Sequence, residues 1–499
     1  MKNGEYIIAI DIGTTLTKGI LYRVNAGIED TAVSSHQIHC PLPGIVEQDP
    51  DEVCSGVERV IYELSGRIKP SSITALVFGG ILHSFIPVDS KKKPLNRALI
   101  WADLRSLEEC EALRERIDIE EVKRRTGCTL HPLYFLPRII WFRDRLPDIF
   151  KKTWKFISIK EYVLLKLFGS LLVDRSIASG TGIWNMHTMD WDEELLGIAG
   201  IGKDRLSPVV ELTTMLPGKK FSENTKSDLP GDVSVIIGGG DGPLAHLGSA
   251  GLKRGMMSLT VGTSGAVRRS TPRPEVLHGK EAWCYYLGEN NWITGGVIHD
   301  AGVVLQWLST RVFDGSSKNK TNINILREDA FKIMNEALKN VPPGAEGLIF
   351  LPILGGERTP HYNPSARGAL IGMSYAHCRE HILRALIEGI AYRLLSVYEM
   401  LSPEKDTELV VTGGILKSPS WMQIIADFFG KRLLIPAIRE AAAWGAVLIA
   451  MKALGMIETL DKVENYVRIG GHIDFNPEAH LIYKRVREVY DSYYKKIYE

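Results

Sequence analysis

Short runs of β-branched and aliphatic residues recur along the chain, and several break on glycines flanked by hydroxyls or by an acid. Residues 6–22, YIIAIDIGTTLTKGILY, carry an apolar run at Ile7, Ile8, Ala9 and Ile10, a bend at Gly13-Thr14-Thr15, and a second run from Lys18 through Ile20. The pattern predicts a β-hairpin with Asp11 and two threonines at its bend. Residues 73–78 and 409–412 read as strands that close on paired glycines, Gly79-Gly80 and Gly413-Gly414, and residues 258–265, SLTVGTSG, run another strand into Gly262-Thr263-Ser264. Val53, Val57, Val60 and Leu64 recur at helical spacing and predict a helix after the turn at 44–50. A further helix is expected over 421–429. Residues 293–307, ITGGVIHDAGVVLQW, read as a strand, a glycine turn and a helix.

The stretch that organises the rest is 236–251, IIGGGDGPLAHLGSAG, in which a β-branched run delivers three glycines and then Asp241 onto a loop. Glycines let the backbone bring a ligand close, so an acid among them sits within reach of a substrate. An ordinary turn aspartate would explain that loop by itself. The hairpin at Asp11 changes the balance. Turns rich in Gly and Thr aim N–H and O–H donors at one point, which suits a phosphate. An aspartate beside them can hold Mg²⁺, which takes one or two carboxylates together with waters and phosphate oxygens.

Composition narrows the reading. At 499 residues the chain exceeds the size at which a single core stops growing, so two large domains are expected. With 60 basic against 59 acidic residues it has no charge excess suited to nucleic acid or to a polybasic membrane contact. No apolar run is long enough to span a bilayer and no signal peptide is read at the start, so a cytoplasmic protein is expected. The six cysteines include no Cys-x-x-Cys pair and point to neither a disulfide framework nor a metal cluster. Each Gly-Lys pair, at 202–203, 218–219, 279–280 and 430–431, lacks a following Ser or Thr, so there is no Walker A loop, and no strand leads into Gly-x-Gly-x-x-Gly.

Taken together in order and spacing, these stretches resemble the superfamily of sugar kinases, heat-shock chaperones and actin, and within it the FGGY carbohydrate kinases. The resemblance runs from residue 7 to about 455 and takes in Gly295-Gly296, the PILGGER stretch at 352–358 and the segment 411–445 with Glu440 and Gly445. It implies an α/β, two-domain actin-like ATPase (ribonuclease H-like) fold with a catalytic cleft between the domains. Residues 1–247 would bind the sugar and carry the phosphate hairpin, and 248–499 would bind the nucleotide. ATP and Mg²⁺ are the implied cofactors. Asp241 would be the catalytic base, with Asp11 and Asp241 holding the metal. Gly13, Thr14, Thr15, Gly262, Thr263, Gly302, Gln306, Gly413 and Gly414 would meet the nucleotide, and Lys18, His83, Trp101, Asp103 and Asp241 the substrate.

Trp101 and Asp103 suit a polyol because an aromatic face packs on C–H groups while a carboxylate takes hydroxyls. A core tryptophan and a helix N-cap at Asp103 account for the same two residues. His83-Ser84, residues 129–132 and the ending Trp184-Asn185-Met186 resemble the gluconate kinase branch, and His83 is shared with xylulose kinases, the second choice. Arg138 stands where the family usually has Lys, and His299 and Ala301 where Asn and Gly are common. Lys18, Arg105, Arg138 and Arg175 are the candidate partners for a substrate carboxylate. A small-molecule sugar or sugar acid is the expected partner, and a homodimer is left open. A chaperone or filament protein of the same fold would lack the PILGGER stretch and the Trp101–Asp103 pair, and a silent sugar sensor would have lost Asp241.

Overall fold

In the first strand, β1 (Tyr6–Ile12), alternate side chains enter two different cores: Ile7 and Ala9 on one face, Ile8, Ile10 and Ile12 on the other. A strand covered on both faces needs a continuous apolar run, which is what residues 7–10 supply. The structure, a computed structural model, describes residues 5–216, 233–313, 328–363 and 365–498. β1 turns back into β2 (Leu16–Arg23) and β3 (Gly27–Ser35), so the expected hairpin forms, with Asp11 opposite Lys18 in register. Helix α1 (Pro50–Ser65) comes next. Asp49 caps it by accepting from the N–H groups of Asp51 and Glu52, Pro50 opens it, and Val53, Val57, Val60 and Leu64 are buried. Then come β4 (Ile73–Gly80), α2 (Ile159–Phe168), the short β5 (Met215–Leu216) and β6 (Ser234–Gly240), giving a six-stranded sheet in the order β5-β6-β4-β1-β2-β3.

Helix α3 (Asp241–Ala250) leaves this sheet, and the expected division at 247/248 falls inside it. A second sheet has seven strands. Its members are β7 (Met256–Val261), β8 (Gly265–Thr271), β9 (Trp283–Gly288), β10 (Asn291–Ile298), β11 (Glu408–Thr412), β12 (Leu433–Pro436) and β13 (Ile469–Ile473), in the order β9-β10-β8-β7-β11-β12-β13. Three of the helices packed around the two sheets are α4 (Gly302–Trp307), α5 (Arg379–Met400) and α6 (Ala441–Ala453). α5 shares a core with β7 and β11 through Leu386, Ile390, Leu394, Leu259 and Val411.

Helix α6, late in the chain, crosses back onto the first sheet and packs against α3. The crossing is close because both helices present glycine. A Cβ at Gly445 would lie 2.0 Å from the Leu244 carbonyl oxygen, and one at Gly248 would lie 2.1 Å from that of Ala441. Backbone atoms cannot yield as a flexible side chain can, so Gly445→Ala must push the helices apart. Overpacking of this kind costs about 1–3 kcal/mol, and urea unfolding of Gly445→Ala is expected to show a loss of that size.

Candidate active site

Three parallel strands end side by side. Asp11 pairs with Gly79 and Ile12 with Gly80 in the β1–β4 register, while Gly239 and Gly240 of β6 pair with the same two glycines. The residues that come after each strand therefore gather at one edge, the carboxyl edge where open α/β sheets receive ligands. From β1 comes the Gly13-Thr14-Thr15 bend, from β4 the Ile81-Leu82-His83 turn, and from β6 Asp241 at the start of α3. A register shift between Ile236 and Gly239 aims the last of these, and Gly238 sits in it at φ 69 with a virtual Cβ 2.0 Å from the Phe78 carbonyl oxygen. Only glycine fits there.

A buried polar network fixes the same strand end. Lys160 on α2 bonds Asp174 at 2.9 Å and the Gly239 carbonyl at 3.1 Å, and the Gly240 N–H donates to Ser176 Oγ at 3.1 Å. Lys160 and Asp174 are each only 1% exposed. Asp241 itself accepts the N–H of Gly242 at 2.8 Å and that of Leu82 at 3.3 Å.

Burial perturbs both carboxyl groups, and Asp241 perturbs Asp11 as well. Burial, then the neighbouring Asp241, push the Asp11 carboxyl up to about 7, with Lys18 pulling the other way. Burial also raises Asp241, opposed by the Gly242 N–H, by Arg268 and by the Leu82 N–H. Asp11 Oδ1 is buried without a hydrogen-bond partner. A partnerless carboxylate oxygen that feels the charge of a second carboxylate fits a divalent cation that completes its shell with water and phosphate. Arg268, from β8 of the second sheet, lies 3.6 Å from the virtual Cβ of Gly242 and donates to Thr260 Oγ1 at 2.9 Å.

The second sheet repeats the device. β7 and β11 run parallel with Thr260 opposite Thr412, their hydroxyls 2.9 Å apart, so Gly262-Thr263 and Gly413-Gly414 emerge at one edge. Thr263 is exposed and Gly262 has open space around it. Gly302 donates to the Gly262 carbonyl at 2.9 Å and Val303 to that of Thr263 at 3.1 Å, which ties the turn to the start of α4, the helix that carries Gln306.

Beyond the carboxylates lies a buried cluster of rings drawn from both halves. His83 sits at φ 63, a strained position for a non-glycine residue, of the kind found where function needs it. Its Nδ1 pairs with the Gly180 carbonyl at 2.9 Å, which makes that nitrogen the donor and leaves Nε2 to accept from Tyr285 Oη at 3.4 Å. His83 packs on Tyr134 and Tyr285, Trp101 on His299, and His131 on His299 and Tyr362. The Trp101 indole N–H donates to Thr14 Oγ1 at 3.1 Å, linking the pocket to the hairpin bend.

Residues 6–248 match the N-terminal domain of the FGGY family of carbohydrate kinases, and residues 257–454 match its C-terminal domain. The chain belongs to this family. It is 32% identical to the gluconokinase of Bacillus subtilis over 466 residues, 93% of this chain and 90% of that one. It is 27% identical to the xylulose kinase of Lactococcus lactis over 99% of this chain and 97% of the other. Solved structures of a xylulose kinase and of a gluconate kinase from Lactobacillus acidophilus each superpose with a TM-score of 0.88 at 28% identity, covering 99% of this chain and 98% of each. The two-domain actin-like α/β fold expected from the sequence is the one this kinase has. Among the described residues, no helix is long and apolar enough to cross a membrane.

Against this geometry the expected site residues divide. Asp11, Thr14, His83, Trp101 and Asp241 converge at the first sheet's edge, and Lys18 stands exposed across the strand from Asp11. Asp103 is turned inward. Its carboxylate takes the Val46 N–H at 2.8 Å and is gripped by Arg105 at 2.8 Å, so its acceptors are spent on holding the loop. Arg138 is wholly buried and donates to the carbonyls of Pro132, His83 and Ile100, which makes it a clamp behind the pocket. His131, Tyr134, Arg268, Tyr285, His299, Arg358 and Tyr362 complete the surroundings, and none of them is among the expected site residues. His131 lies in a stretch that resembles the gluconate kinase branch, whereas Tyr285 lies in β9, whose apolar and aromatic run carries no local signal of a site.

The Lys160–Asp174 pair yields a test of how the kinase positions Asp241. Lys160→Met leaves a carboxylate buried without its cation and should cost about 3–5 kcal/mol in urea unfolding. Adding Asp174→Leu should recover part of the loss, whereas a single variant as stable as wild type would show that the strap carries nothing.

Proposed function

We propose that this carbohydrate kinase transfers the γ-phosphoryl group of ATP to the terminal hydroxyl of gluconate. The observation that carries the phosphoryl-transfer reading is the Asp241 carboxylate, held by two backbone N–H groups at the strand edge beside Asp11 and answered from the second sheet by Arg268. The attacking hydroxyl passes its proton to Asp241 as the new P–O bond forms. Thr14 accepts from Trp101, so its own hydroxyl hydrogen is free to donate to a phosphate oxygen. Thr15, Thr263 and the amides of the two glycine turns add further donors, and Gly413-Gly414 and Gln306 serve the nucleoside side. Mg²⁺ brought with ATP would be held by Asp11 and, through water, by Asp241, and supplies neutralisation of the phosphate charge.

Gluconate is favoured over a neutral ketose by the gluconokinase relatives, at 32 and 33% identity against 27 to 28% for xylulose kinases. Xylulose is the second reading, supported by the solved xylulose kinase that fits the fold equally well.

Asp241→Asn should lower kcat by roughly 10²–10⁴-fold while ATP still binds, and a variant keeping more than about a tenth of wild-type kcat would remove Asp241 from the role of base. In an ADP-release assay across gluconate, xylulose, ribulose, glycerol and erythritol, kcat/KM for gluconate should exceed every neutral substrate by at least about tenfold. A flat profile would leave a kinase without acid preference.

A further inference from the structure

A buried guanidinium normally spends its N–H groups on carboxylates or carbonyls, because an unanswered charge in the interior is costly. Arg105 is held by Asp103 and Glu47, and Arg138 by three carbonyls. Arg384 on α5 is held by Glu388, by the Tyr483 hydroxyl and by the carbonyls of Leu338 and Val341. Arg268, on β8, departs from this pattern. It is 9% exposed, and among the described residues its one hydrogen bond runs from Nη1 to Thr260 Oγ1 at 2.9 Å. Its Nε is buried without a partner, and no ion pair joins it to a carboxylate among the described residues.

The fold places this side chain between the two halves of the site. β8 runs antiparallel to β7 with Arg268 opposite Ser258, on the same face as Thr260 two residues further on. The Thr260 and Thr412 hydroxyls meet at 2.9 Å, just before the turns at Gly262-Thr263 and Gly413-Gly414. Helix α3 packs on that face. His246 Nδ1 lies 2.8 Å from Ser258 Oγ, and one helical turn earlier a Cβ at Gly242 would lie 3.6 Å from both Nε and Nη2 of Arg268. The Gly242 N–H is one of the two donors that hold Asp241. The guanidinium thus anchors one nitrogen beside the glycine turns of the second sheet and turns its Nε–Nη2 edge, unspent, toward the start of the Asp241 helix. Burial lowers its pKa to about 10 while Asp241 pulls the other way, so it stays a cation at neutral pH.

We propose that Arg268 is a catalytic residue that contacts the phosphoryl group as it is transferred. In that step the substrate hydroxyl oxygen forms its bond to the γ-phosphorus while the bond from that phosphorus to the β–γ bridging oxygen breaks. ADP leaves with the electron pair, Asp241 takes the hydroxyl proton, and Arg268 exchanges none. The Nε–Nη2 edge is planar and can meet two oxygens of one phosphoryl group, and a buried cation gains most from the charge gathered there during transfer. The assignment rests on the phosphoryl-transfer reading of Asp241 and is independent of which sugar accepts the group.

The test compares wild type, Arg268→Met, Arg268→Lys and Asp241→Asn, with gluconate as acceptor, or xylulose if that is the better substrate. Turnover is read by ADP release and stability by thermal melts. Calorimetry in the presence of the sugar reads the binding of ADP alone and of ADP with aluminium fluoride, a mimic of the transferred group. Arg268→Met should lower kcat by about 10²-fold or more, with KM for ATP and for sugar within about threefold of wild type. Its affinity for ADP with aluminium fluoride should fall by at least about tenfold while that for ADP alone holds, a split that loss of packing does not produce. Arg268→Lys keeps the charge without the planar fork and should recover part of kcat.

An Arg268→Met kcat within about tenfold of wild type, a loss carried by the sugar KM alone, or an equal loss on ADP with and without aluminium fluoride overturns the assignment. A crippled Asp241→Asn beside an indifferent Arg268→Met overturns this assignment alone, whereas retention of kcat in both overturns the phosphoryl-transfer reading of that edge. Should Arg268→Met melt below the assay temperature, Arg268→Lys decides: a kcat lowered by about fivefold or more with the sugar KM unchanged supports the assignment, and a smaller loss overturns it.

Discussion

Two carboxylates sharing one buried edge set the terms for the rest of the molecule. Burial disfavours the charge of both Asp11 and Asp241, and Asp241 further disfavours that of Asp11, so neither would stay in place without restraint. The restraint is covalent and polar rather than apolar. Asp11 is the penultimate residue of a central strand with both faces buried. Asp241 is held by the bulge at Gly238, by the Gly242 and Leu82 N–H groups, and by the Lys160–Asp174 pair that takes the carbonyl of Gly239.

The parts of the site legible in the sequence are those built from backbone. The hairpin at Gly13-Thr14-Thr15, the acid after three glycines and the turns at 262–263 and 413–414 each depend on a few adjacent residues, so their chemistry shows in local order. The ring cluster beside it is built differently. His83, His131, Tyr285, His299 and Arg358 come from separate turns and strands of both sheets, and no period or spacing joins them. Tyr285 comes after Trp283 and Cys284 in a run indistinguishable from core, and only the fold turns its hydroxyl toward His83 and Tyr134. Asp103 illustrates the opposite case. An acid two residues from a tryptophan has the composition of a sugar site, but Arg105, two residues further on, closes its carboxylate in a bidentate grip.

The domain division obeys the same logic. Two large sheets are present among the described residues, as the length of the chain suggests, yet neither owns its surroundings. α6 comes from the late part of the chain and packs on the first sheet, and the glycine crossing with α3 makes the connection between the halves rigid at one point. At the other side of the pocket, the Cys284 N–H bonds the Gly127 carbonyl at 2.8 Å, the Tyr286 N–H bonds Ser179 Oγ at 2.9 Å, and Tyr134 meets Tyr285 hydroxyl to hydroxyl at 3.1 Å.

These cross-links join the two halves of the chain at the buried ring cluster. Tyr285, His299 and Tyr362 belong to the second half in sequence and pack against His83 and His131 from the first, and Tyr285 meets Tyr134 hydroxyl to hydroxyl. A ligand that fills this space touches both halves at once. On the reading proposed above, the binding energy of a sugar held there would be available for drawing the turn at Gly262-Thr263 toward Asp241. A ligand too short to reach across would forfeit alignment as well as affinity.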